Sequence, residues 1–209
     1  MKIGIFGGSF DPVHRGHIEL AERALLCGAA DSVVFVPAAI QPFKQDKHPA
    51  DGNDRINMIK LAAQGIKGIE VSDYELARPK AVSYTINTLN AMRNAYGAEN
   101  DVRFIVGADS FLKIHTWTKA DELLENYTII VGVRPGYLES EVAKQEKILR
   151  ERYGASVIML ENRPIDISST EIRKAAACGF SEEKGAHQAV VYAIPEKVRE
   201  YIIENGLYN

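Results

Sequence analysis

The sequence predicts an α/β protein: a Rossmann-like, doubly wound and mostly parallel sheet with a small helical region near its C-terminal end. Two observations support this prediction. Short apolar segments alternate with longer segments of helical periodicity, which is the order of parallel βαβ units. The apolar segments are hydrophobic throughout rather than at every second position, as is typical of strands that are covered on both faces.

The first part of the chain carries clear boundary signals. An apolar run at residues 3–6 predicts a first strand, which ends at a pair of glycines. Apolar residues at helical spacing then predict a helix that ends at Gly28, and residues 33–36 predict a second strand ending at Pro37. Residues 38–52 contain prolines, a glycine and scattered charges, which together predict a loop.

The rest of the chain continues the alternation. The pattern predicts further strands over residues 69–71, 102–106, 128–133 and 156–160. It predicts helices around residues 56–63, 83–95, 138–153, 168–178 and 195–205. Because open parallel sheets bind ligands beyond the carboxyl ends of their strands, we expect function in the turns that follow the first, second, fourth and fifth strands.

Composition excludes several classes of protein. Hydrophobic residues make up 46% and charged residues 25%, unlike a disordered or disulfide-framework chain, and the net charge of −3 disfavours a dedicated nucleic-acid binder. Cys27 and Cys178 lack metal-ligand spacing and are interpreted as small buried side chains in a reducing compartment. No apolar run reaches the roughly 18 residues of a membrane span. We therefore expect a soluble, cytoplasmic protein with one domain, residues 1–209, which is helical from about residue 165.

The strongest motif is the turn between the first strand and the first helix, with the sequence GGSFDPVHRGH from Gly7 to His17. Glycines permit close approaches that a Cβ would block, and free N–H groups at a helix start attract anions. His14 and His17 are three residues apart, so both can face one spot. The motif is neither the dinucleotide fingerprint nor a Walker A loop. A zinc site is the alternative, but no third ligand with suitable spacing lies nearby.

A second motif, ISSTEIR from Ile167 to Arg173, opens the penultimate predicted helix. Ser168 and Glu171 fit a capping box, which is a purely structural interpretation. The hydroxyl and N–H groups at this helix start can also hold phosphate oxygens, with Arg173 adding a bidentate contact. We expect this helix start to meet the first motif in a single cleft.

Other chemically capable residues lie where predicted strands end. Gly107 and Asp109 follow the fourth strand, where an acidic residue suits a ribose hydroxyl or else caps a helix. Trp117, the only tryptophan, has polar neighbours and can stack on an aromatic ligand if it borders a pocket. Lys44 lies in the loop after the second strand, and Arg134 follows the fifth strand.

The two motifs together resemble the nucleotidyltransferase superfamily with the H-x-G-H signature. Within it, the whole chain is similar to the bacterial nicotinate-nucleotide adenylyltransferase family, from Met1 to Tyr208 and in the expected order of motifs. Two further features narrow the choice of family within the superfamily. They are Gly-Ala-Asp followed by a tryptophan, and Arg-Pro-Gly after a strand. One departure is Phe43 beside Lys44, because members of the family commonly carry a histidine before this lysine.

The resemblance implies that the chain joins nicotinate mononucleotide and ATP to give deamido-NAD and pyrophosphate. It implies Mg²⁺ as a cofactor, held mainly by ATP and water and without protein ligands. The implied catalytic residues are His14, His17, Lys44 and Arg173. The implied ATP contacts are Gly8, Ser9, Phe10, His17, Gly107, Asp109, Arg134, Ser168, Ser169, Thr170 and Arg173. The implied contacts to nicotinate mononucleotide are Ser9, Phe10, Lys44, Tyr84, Thr85, Thr88 and Trp117.

Alternatives remain open on the sequence alone. An adenylyltransferase that acts on nicotinamide mononucleotide, or on another phosphate acceptor such as phosphopantetheine, uses the same core. A non-catalytic nucleotide-sensing module is expected to lose the histidine pair or Arg173, and this chain keeps both. The expected partners are the two small-molecule substrates, with no nucleic acid and no membrane. The sequence does not determine the oligomeric state, and a homodimer is compatible with it.

Overall fold

The structure, a computed structural model, describes residues 1–40, 49–78, 82–133, 139–161, 167–181 and 188–209. Its central element within these residues is a sheet of six strands. The strands are β1 (Lys2–Gly8), β2 (Ser32–Pro37), β3 (Ile69–Val71), β4 (Asp101–Gly107), β5 (Ile129–Val133) and β6 (Val157–Glu161). The helices are α1 (Arg15–Leu26), α2 (Gly52–Ala62), α3 (Thr85–Tyr96), α4 (Ala108–Phe111), α5 (Ala120–Asn126), α6 (Glu139–Tyr153), α7 (Ser169–Ala176), α8 (Gln188–Ala193) and α9 (Glu196–Glu204), with a 3-10 turn at Ile114–Thr116.

The strand order is β3-β2-β1-β4-β5-β6, and every neighbouring pair is parallel. The chain builds outward from β1 in one direction and then returns to place β4 on its other side. In a doubly wound sheet of this order, a crevice opens between the two central strands, where the winding reverses. The fold class predicted from the sequence is therefore confirmed, and all the described strands are parallel.

Alternate residues of the central strands point to opposite faces of the sheet and build two apolar clusters. On β2, Val33 and Phe35 belong to the first cluster, whereas Val34 and Val36 belong to the second. Helices α1, α2, α7 and α9 cover the first face, and α3, α4, α5 and α6 cover the second. The C-terminal helices share the core of the sheet, because Ile172 of α7 lies in the same cluster as Phe35.

The sequence prediction missed the helices between β4 and β5 and the short helix α8. In the structure, α4, the 3-10 turn and α5 occupy most of residues 108–126. These helices have at most 7 residues, too few for a periodic apolar pattern to stand out. In addition, α5 begins after Lys119, which has a left-handed backbone conformation (φ 54°) and provides no side-chain cap. The start signal on which helix prediction depends is therefore missing at α5.

Two other expectations concern the surface. No helix among the described residues combines the length and the apolar character needed to cross a bilayer. The interpretation of the cysteines as buried side chains was wrong, because Cys27 is exposed and Cys178 is only partly buried. Cys27 is the C-cap residue directly after α1, and Cys178 lies two residues after the end of α7. Both therefore lie where a helix gives way to a surface turn rather than on its apolar face.

Replacing Leu123 by alanine should destabilise the fold, since its side chain is fully buried beneath α5 in the second cluster. We expect the free energy of unfolding to fall by about 2–5 kcal/mol, the usual cost of truncating a buried leucine. Urea unfolding measures this loss. Leu26→Ala is the matched control, because Leu26 is 79% exposed at the end of α1 and should change stability by less than about 0.5 kcal/mol. Equal losses in the two variants would contradict the packing of α5.

Candidate active site

A cavity of about 780 Å³ opens beyond the carboxyl ends of β1 and β4, the two central strands. This volume is in the range of small-molecule sites, and its position is the one where doubly wound sheets bind their ligands. The β1–α1 turn and the starts of α3, α4 and α7 all contribute to its wall. Of the predicted site residues, those that line the cavity are Gly8, Ser9, Phe10, His14, His17, Tyr84, Thr85, Gly107, Asp109, Trp117, Ser168, Ser169, Thr170 and Arg173.

The β1–α1 turn depends on a close approach between Gly8 and Phe10. Phe10 has a left-handed backbone conformation (φ 46°) and is 1% exposed, with its ring against Phe6 and Phe35. A Cβ on Gly8 would lie 2.9 Å from the tip of the Phe10 ring. Packing therefore requires glycine at position 8, and the backbone of this glycine borders the cavity without a side chain in the way.

His14 and His17 lie side by side at the start of α1. Their ring centroids are 3.7 Å apart, and the backbone N–H of His14 donates to Nδ1 of His17 at 3.2 Å. Because a backbone amide only donates, Nδ1 of His17 is unprotonated and the neutral ring carries its proton on Nε2. Gly16 makes room for this arrangement, since a Cβ there would lie 3.2 Å from the His14 ring. The pair faces one spot, as the sequence predicts, and His17 offers an N–H donor there.

The start of α7 is tied directly to the β1–α1 turn. The Ser169 hydroxyl donates to the Pro12 carbonyl at 3.0 Å, although the two residues are 157 positions apart. Arg173 donates from Nη1 to the Asp11 carbonyl at 2.7 Å. The expectation that the two sequence motifs meet in one cleft is therefore confirmed.

Several polar groups of the ISSTEIR segment form hydrogen bonds to other groups of the protein. Ser168 accepts from the N–H of Glu171 at 3.3 Å, and the Glu171 carboxylate accepts from the N–H of Ser168 at 2.8 Å, which confirms the predicted capping box. Thr170 Oγ1 accepts from Nη2 of Arg173 at 3.1 Å. An anion in the cavity can still use the first N–H groups of α7 and the guanidinium of Arg173, whose side chain is 25% exposed.

Arg55 on α2 holds the β1–α1 turn through hydrogen bonds to backbone carbonyls. This residue was not predicted from the sequence. It is 3% exposed, and its Nη1 donates to the carbonyls of Ser9 at 2.9 Å and Ala38 at 2.8 Å. Burial lowers the pKa of this guanidinium, while the nearby Asp11 charge acts in the opposite direction. Arg55 thus joins the ends of β1 and β2. No sequence pattern marks it, because a lone arginine near a helix start is usually solvated.

Asp11 and Tyr208 form a second unpredicted support. Asp11 is 7% exposed, and its Oδ1 accepts from the Tyr208 hydroxyl at 2.7 Å and from the N–H of Ala50 at 3.0 Å. Burial first, and then the negative charge of Asp11, raise the pKa of Tyr208 far above its usual range. The hydroxyl therefore stays protonated and donates to the carboxylate. Asp11 lies inside the first motif, but no sequence pattern indicates its distant tyrosine partner.

The far side of the cavity is bounded by the start of α3 and by Trp117. Tyr84 is the N-cap residue of α3 and Thr85 its first residue, so the first N–H groups of the helix lie at this wall. The Trp117 ring is partly buried and stands edge to face with Phe104, with centroids 6.0 Å apart. A flat aromatic surface and a helix start therefore border the same space.

Thr88 differs from the other predicted residues, since it is buried one turn further along α3 and is not among the residues that line the cavity. Its hydroxyl donates to the carboxylate of Glu75, which does line the cavity. Thr88 can therefore act on a ligand indirectly, by orienting the Glu75 carboxylate.

Gly107 and Asp109 stand at the end of β4. Gly107 is the N-cap residue of α4, and Asp109 is exposed in its first turn. The alternative interpretation of Asp109 as the helix cap is therefore wrong. A Cβ on Gly107 would meet no atom within 4 Å, so the space in front of this residue belongs to the cavity.

Some predictions fall on parts of the chain that the structure does not cover. Lys44, Phe43 and Arg134 lie outside the described residues, so their predicted roles stay predictions. Within the described residues, no three His, Cys, Asp or Glu side chains are grouped as metal ligands. The zinc alternative for the histidine pair therefore gains no third ligand from this part of the chain.

Comparison with known proteins first identifies the broad family to which the chain belongs. A family model described as cytidylyltransferase-like matches residues 5–175, and the chain belongs to this family. Within that class it belongs with the nicotinate-nucleotide adenylyltransferases, because proteins carrying this name match it over nearly its full length. A probable nicotinate-nucleotide adenylyltransferase of Clostridium tetani is 36% identical over 207 residues, covering 99% of this chain and 98% of its own. One from Aquifex aeolicus is 42% identical over 168 residues, covering 80% of this chain and 98% of its own.

Solved structures agree on the fold. A Plasmodium falciparum nicotinic acid mononucleotide adenylyltransferase, complexed with NaAD, superposes with a TM-score of 0.77. The match covers 99% of this chain and 97% of the other, at 21% sequence identity. At that identity the likeness concerns the fold alone.

Replacing Gly8 by alanine should destabilise the protein, because the new Cβ would lie 2.9 Å from a Phe10 ring that is held by the core. We expect a loss of about 1–3 kcal/mol, the usual cost of overpacking. Gly7→Ala is the matched control, since a Cβ there meets only the Phe104 ring at 3.8 Å, an ordinary van der Waals contact, and should change stability by less than about 0.5 kcal/mol. Thermal unfolding compares the two. A Gly8→Ala protein as stable as the wild type would contradict the close approach.

Proposed function

We propose that the chain transfers the adenylyl group of ATP to nicotinate mononucleotide, giving deamido-NAD and pyrophosphate in NAD biosynthesis. The observation that carries this proposal is the meeting of the β1–α1 turn and the start of α7 at one cavity. The family to which the chain belongs supports the choice of reaction. We further propose that residues 1–209 act as one nucleotidyltransferase domain, because the C-terminal helices share the core of the sheet.

In the proposed complex, ATP lies between the two central strands. Gly8, Ser9 and Phe10 form the floor that both substrates share. Gly107 and Asp109 hold the ribose of ATP, for which the exposed carboxylate of Asp109 is suited. The β- and γ-phosphates lie at the start of α7, against Ser168, Ser169, Thr170 and Arg173. Arg134 is assigned to the same substrate by the family resemblance.

The proposed acceptor site lies at the start of α3. The first N–H groups of this helix, from Thr85 onward, suit the carboxylate of nicotinate, because helix starts attract anions. Trp117 provides an aromatic surface for the pyridine ring. Lys44 is assigned to the phosphates, and Thr88 acts through Glu75.

The proposed reaction is a direct displacement. An oxygen of the nicotinate mononucleotide phosphate attacks the α-phosphorus of ATP, the bond from that phosphorus to the β-phosphate oxygen breaks, and pyrophosphate leaves with the electron pair. The attacking phosphate is already an anion, so no strong general base is needed. The barrier falls through alignment and through stabilisation of charge on the α-phosphate and leaving group. His14, His17, Lys44 and Arg173 are the donors proposed for this task.

The divalent ion proposed for the reaction is Mg²⁺. We assign this ion to triphosphate oxygens and water, as the family resemblance implies. When bound, such an ion offsets negative charge on the phosphates. The positive charge of Arg173 and the N–H groups at the start of α7 would offset more of the negative charge of the phosphates.

Pyrophosphate release tests the proposed function directly. The enzyme is given ATP and Mg²⁺ with nicotinate mononucleotide, nicotinamide mononucleotide or phosphopantetheine in parallel. We expect release with nicotinate mononucleotide, together with a product of the mass of deamido-NAD, because the start of α3 suits a carboxylate. Faster release with either of the other two acceptors would replace the proposed substrate, and no release with any of them would refute the function.

Replacing His17 by asparagine should lower kcat without loss of the fold. The asparagine oxygen can accept the N–H of His14 in place of Nδ1, whereas the donor at Nε2 is lost. We expect kcat to fall by roughly 10²–10³-fold, the usual effect of removing one preorganised donor. Steady-state kinetics and thermal unfolding are measured together. A variant with near-normal turnover would exclude His17 from the proposed catalytic residues.

A further inference from the structure

Tyr208 reaches the substrate-binding turn from beyond the end of α9. Its hydroxyl donates to Oδ1 of Asp11 at 2.7 Å, across 197 positions of sequence. The same carboxylate oxygen accepts from the N–H of Ala50 at 3.0 Å. One oxygen of Asp11 is therefore held by two donors that lie on different segments of the chain.

The contact between Tyr208 and Asp11 is accompanied by an unusual backbone conformation at Tyr208. Tyr208 has a left-handed conformation (φ 68°), which is unfavourable for a residue with a large side chain. Gly206 is also left-handed (φ 59°), and the N–H of Leu207 donates to the Ile202 carbonyl at 3.0 Å. Such conformations persist only where surrounding contacts hold them, and they concentrate at functional sites. The hydrogen bond to Asp11 is the polar contact that the Tyr208 side chain gains.

The other oxygen of Asp11 is near Arg173, but not in hydrogen-bond contact with it. Nη1 of Arg173 lies 3.7 Å from Oδ2 of Asp11 and donates instead to the Asp11 carbonyl at 2.7 Å. A carboxylate in a poorly solvated site attracts a guanidinium strongly and prefers two short parallel hydrogen bonds. The observed geometry stops short of that pairing, since Oδ1 is held by Tyr208 and Ala50.

We propose that Tyr208 is a positioning residue whose hydroxyl fixes the Asp11 carboxylate, so that the Arg173 guanidinium stays available to the triphosphate of ATP. This inference rests on the function proposed above. Without the hydroxyl, Asp11 can turn both oxygens towards Arg173 and close the 3.7 Å separation. Because the guanidinium is then paired with Asp11, it interacts less strongly with phosphate, and the affinity for ATP falls. The acceptor site, at the start of α3, is not part of this network.

Tyr208→Phe tests the proposal, because it removes only the hydroxyl and keeps the packed ring. We expect the KM for ATP to rise roughly tenfold, the size of effect expected for a lost hydrogen bond to a charged group. The KM for nicotinate mononucleotide should stay at the wild-type value, since Tyr208 and Asp11 lie on the ATP side. A merely structural role would change both constants, or neither.

Tyr201→Phe is the matched control. Tyr201 lies on α9, and its hydroxyl donates to Oδ1 of Asp54 on α2 at 2.8 Å, so it makes the same kind of bond away from the turn. Thermal unfolding should show similar small losses in the two variants, while only Tyr208→Phe changes the KM for ATP. Equal KM values in the two variants would overturn the proposal.

Asp11→Asn shows whether Tyr208 acts through Asp11. The amide has no net charge to draw Arg173 away, so adding Tyr208→Phe to Asp11→Asn should change the KM for ATP no further. Additive effects of the two substitutions would also overturn the proposal. A wild type that binds ATP but releases no pyrophosphate would refute the proposed function alone. Calorimetry with a non-hydrolysable ATP analogue then compares Tyr208→Phe with Tyr201→Phe, and equal affinities would refute this inference.

Discussion

The hydrogen bond from Arg173 to the Asp11 carbonyl is the contact on which the architecture of the cavity depends. It joins the turn after the first strand to a helix that the chain reaches only after the whole sheet is built. The Ser169 hydroxyl adds a second tie, to Pro12. Because both bonds end on main-chain carbonyls, they fix the path of the turn rather than the rotamer of one side chain.

Three helices of eight residues or more, α1, α3 and α7, begin at the cavity wall. Each directs the N–H groups of its first turn and the positive end of its dipole towards this wall. The chain as a whole carries a net charge of −3, so its overall field does not attract anions. Binding of phosphate-rich substrates therefore depends on local backbone donors and on a few cationic side chains such as Arg173.

The sequence predicted the fold well because its signals are local. Apolar runs, glycine and proline stops and the capping box at Ser168 lie within a few residues of what they determine, and the structure agrees with them. Short helices such as α4 and α5 escaped prediction because they contain too few turns for a periodic pattern.

The site was predicted where motif residues face the cavity directly. Its supports, Arg55 and Tyr208, were missed because their roles arise from contacts between distant segments, which no spacing records. Thr88 shows the opposite case, because the family resemblance implies a direct contact, whereas in this structure its hydroxyl donates to Glu75. Sequence patterns identify what a segment can do, and the three-dimensional arrangement decides which of its groups remain free to do it.

Trp117 is the single tryptophan of the chain and stands in the cavity wall beside Phe104. The emission of an indole responds to the polarity around it and to stacking partners. All of the intrinsic tryptophan fluorescence of this protein therefore originates at the ligand cavity. Occupancy of the cavity can be followed optically in the unlabelled protein, without a background signal from indoles elsewhere.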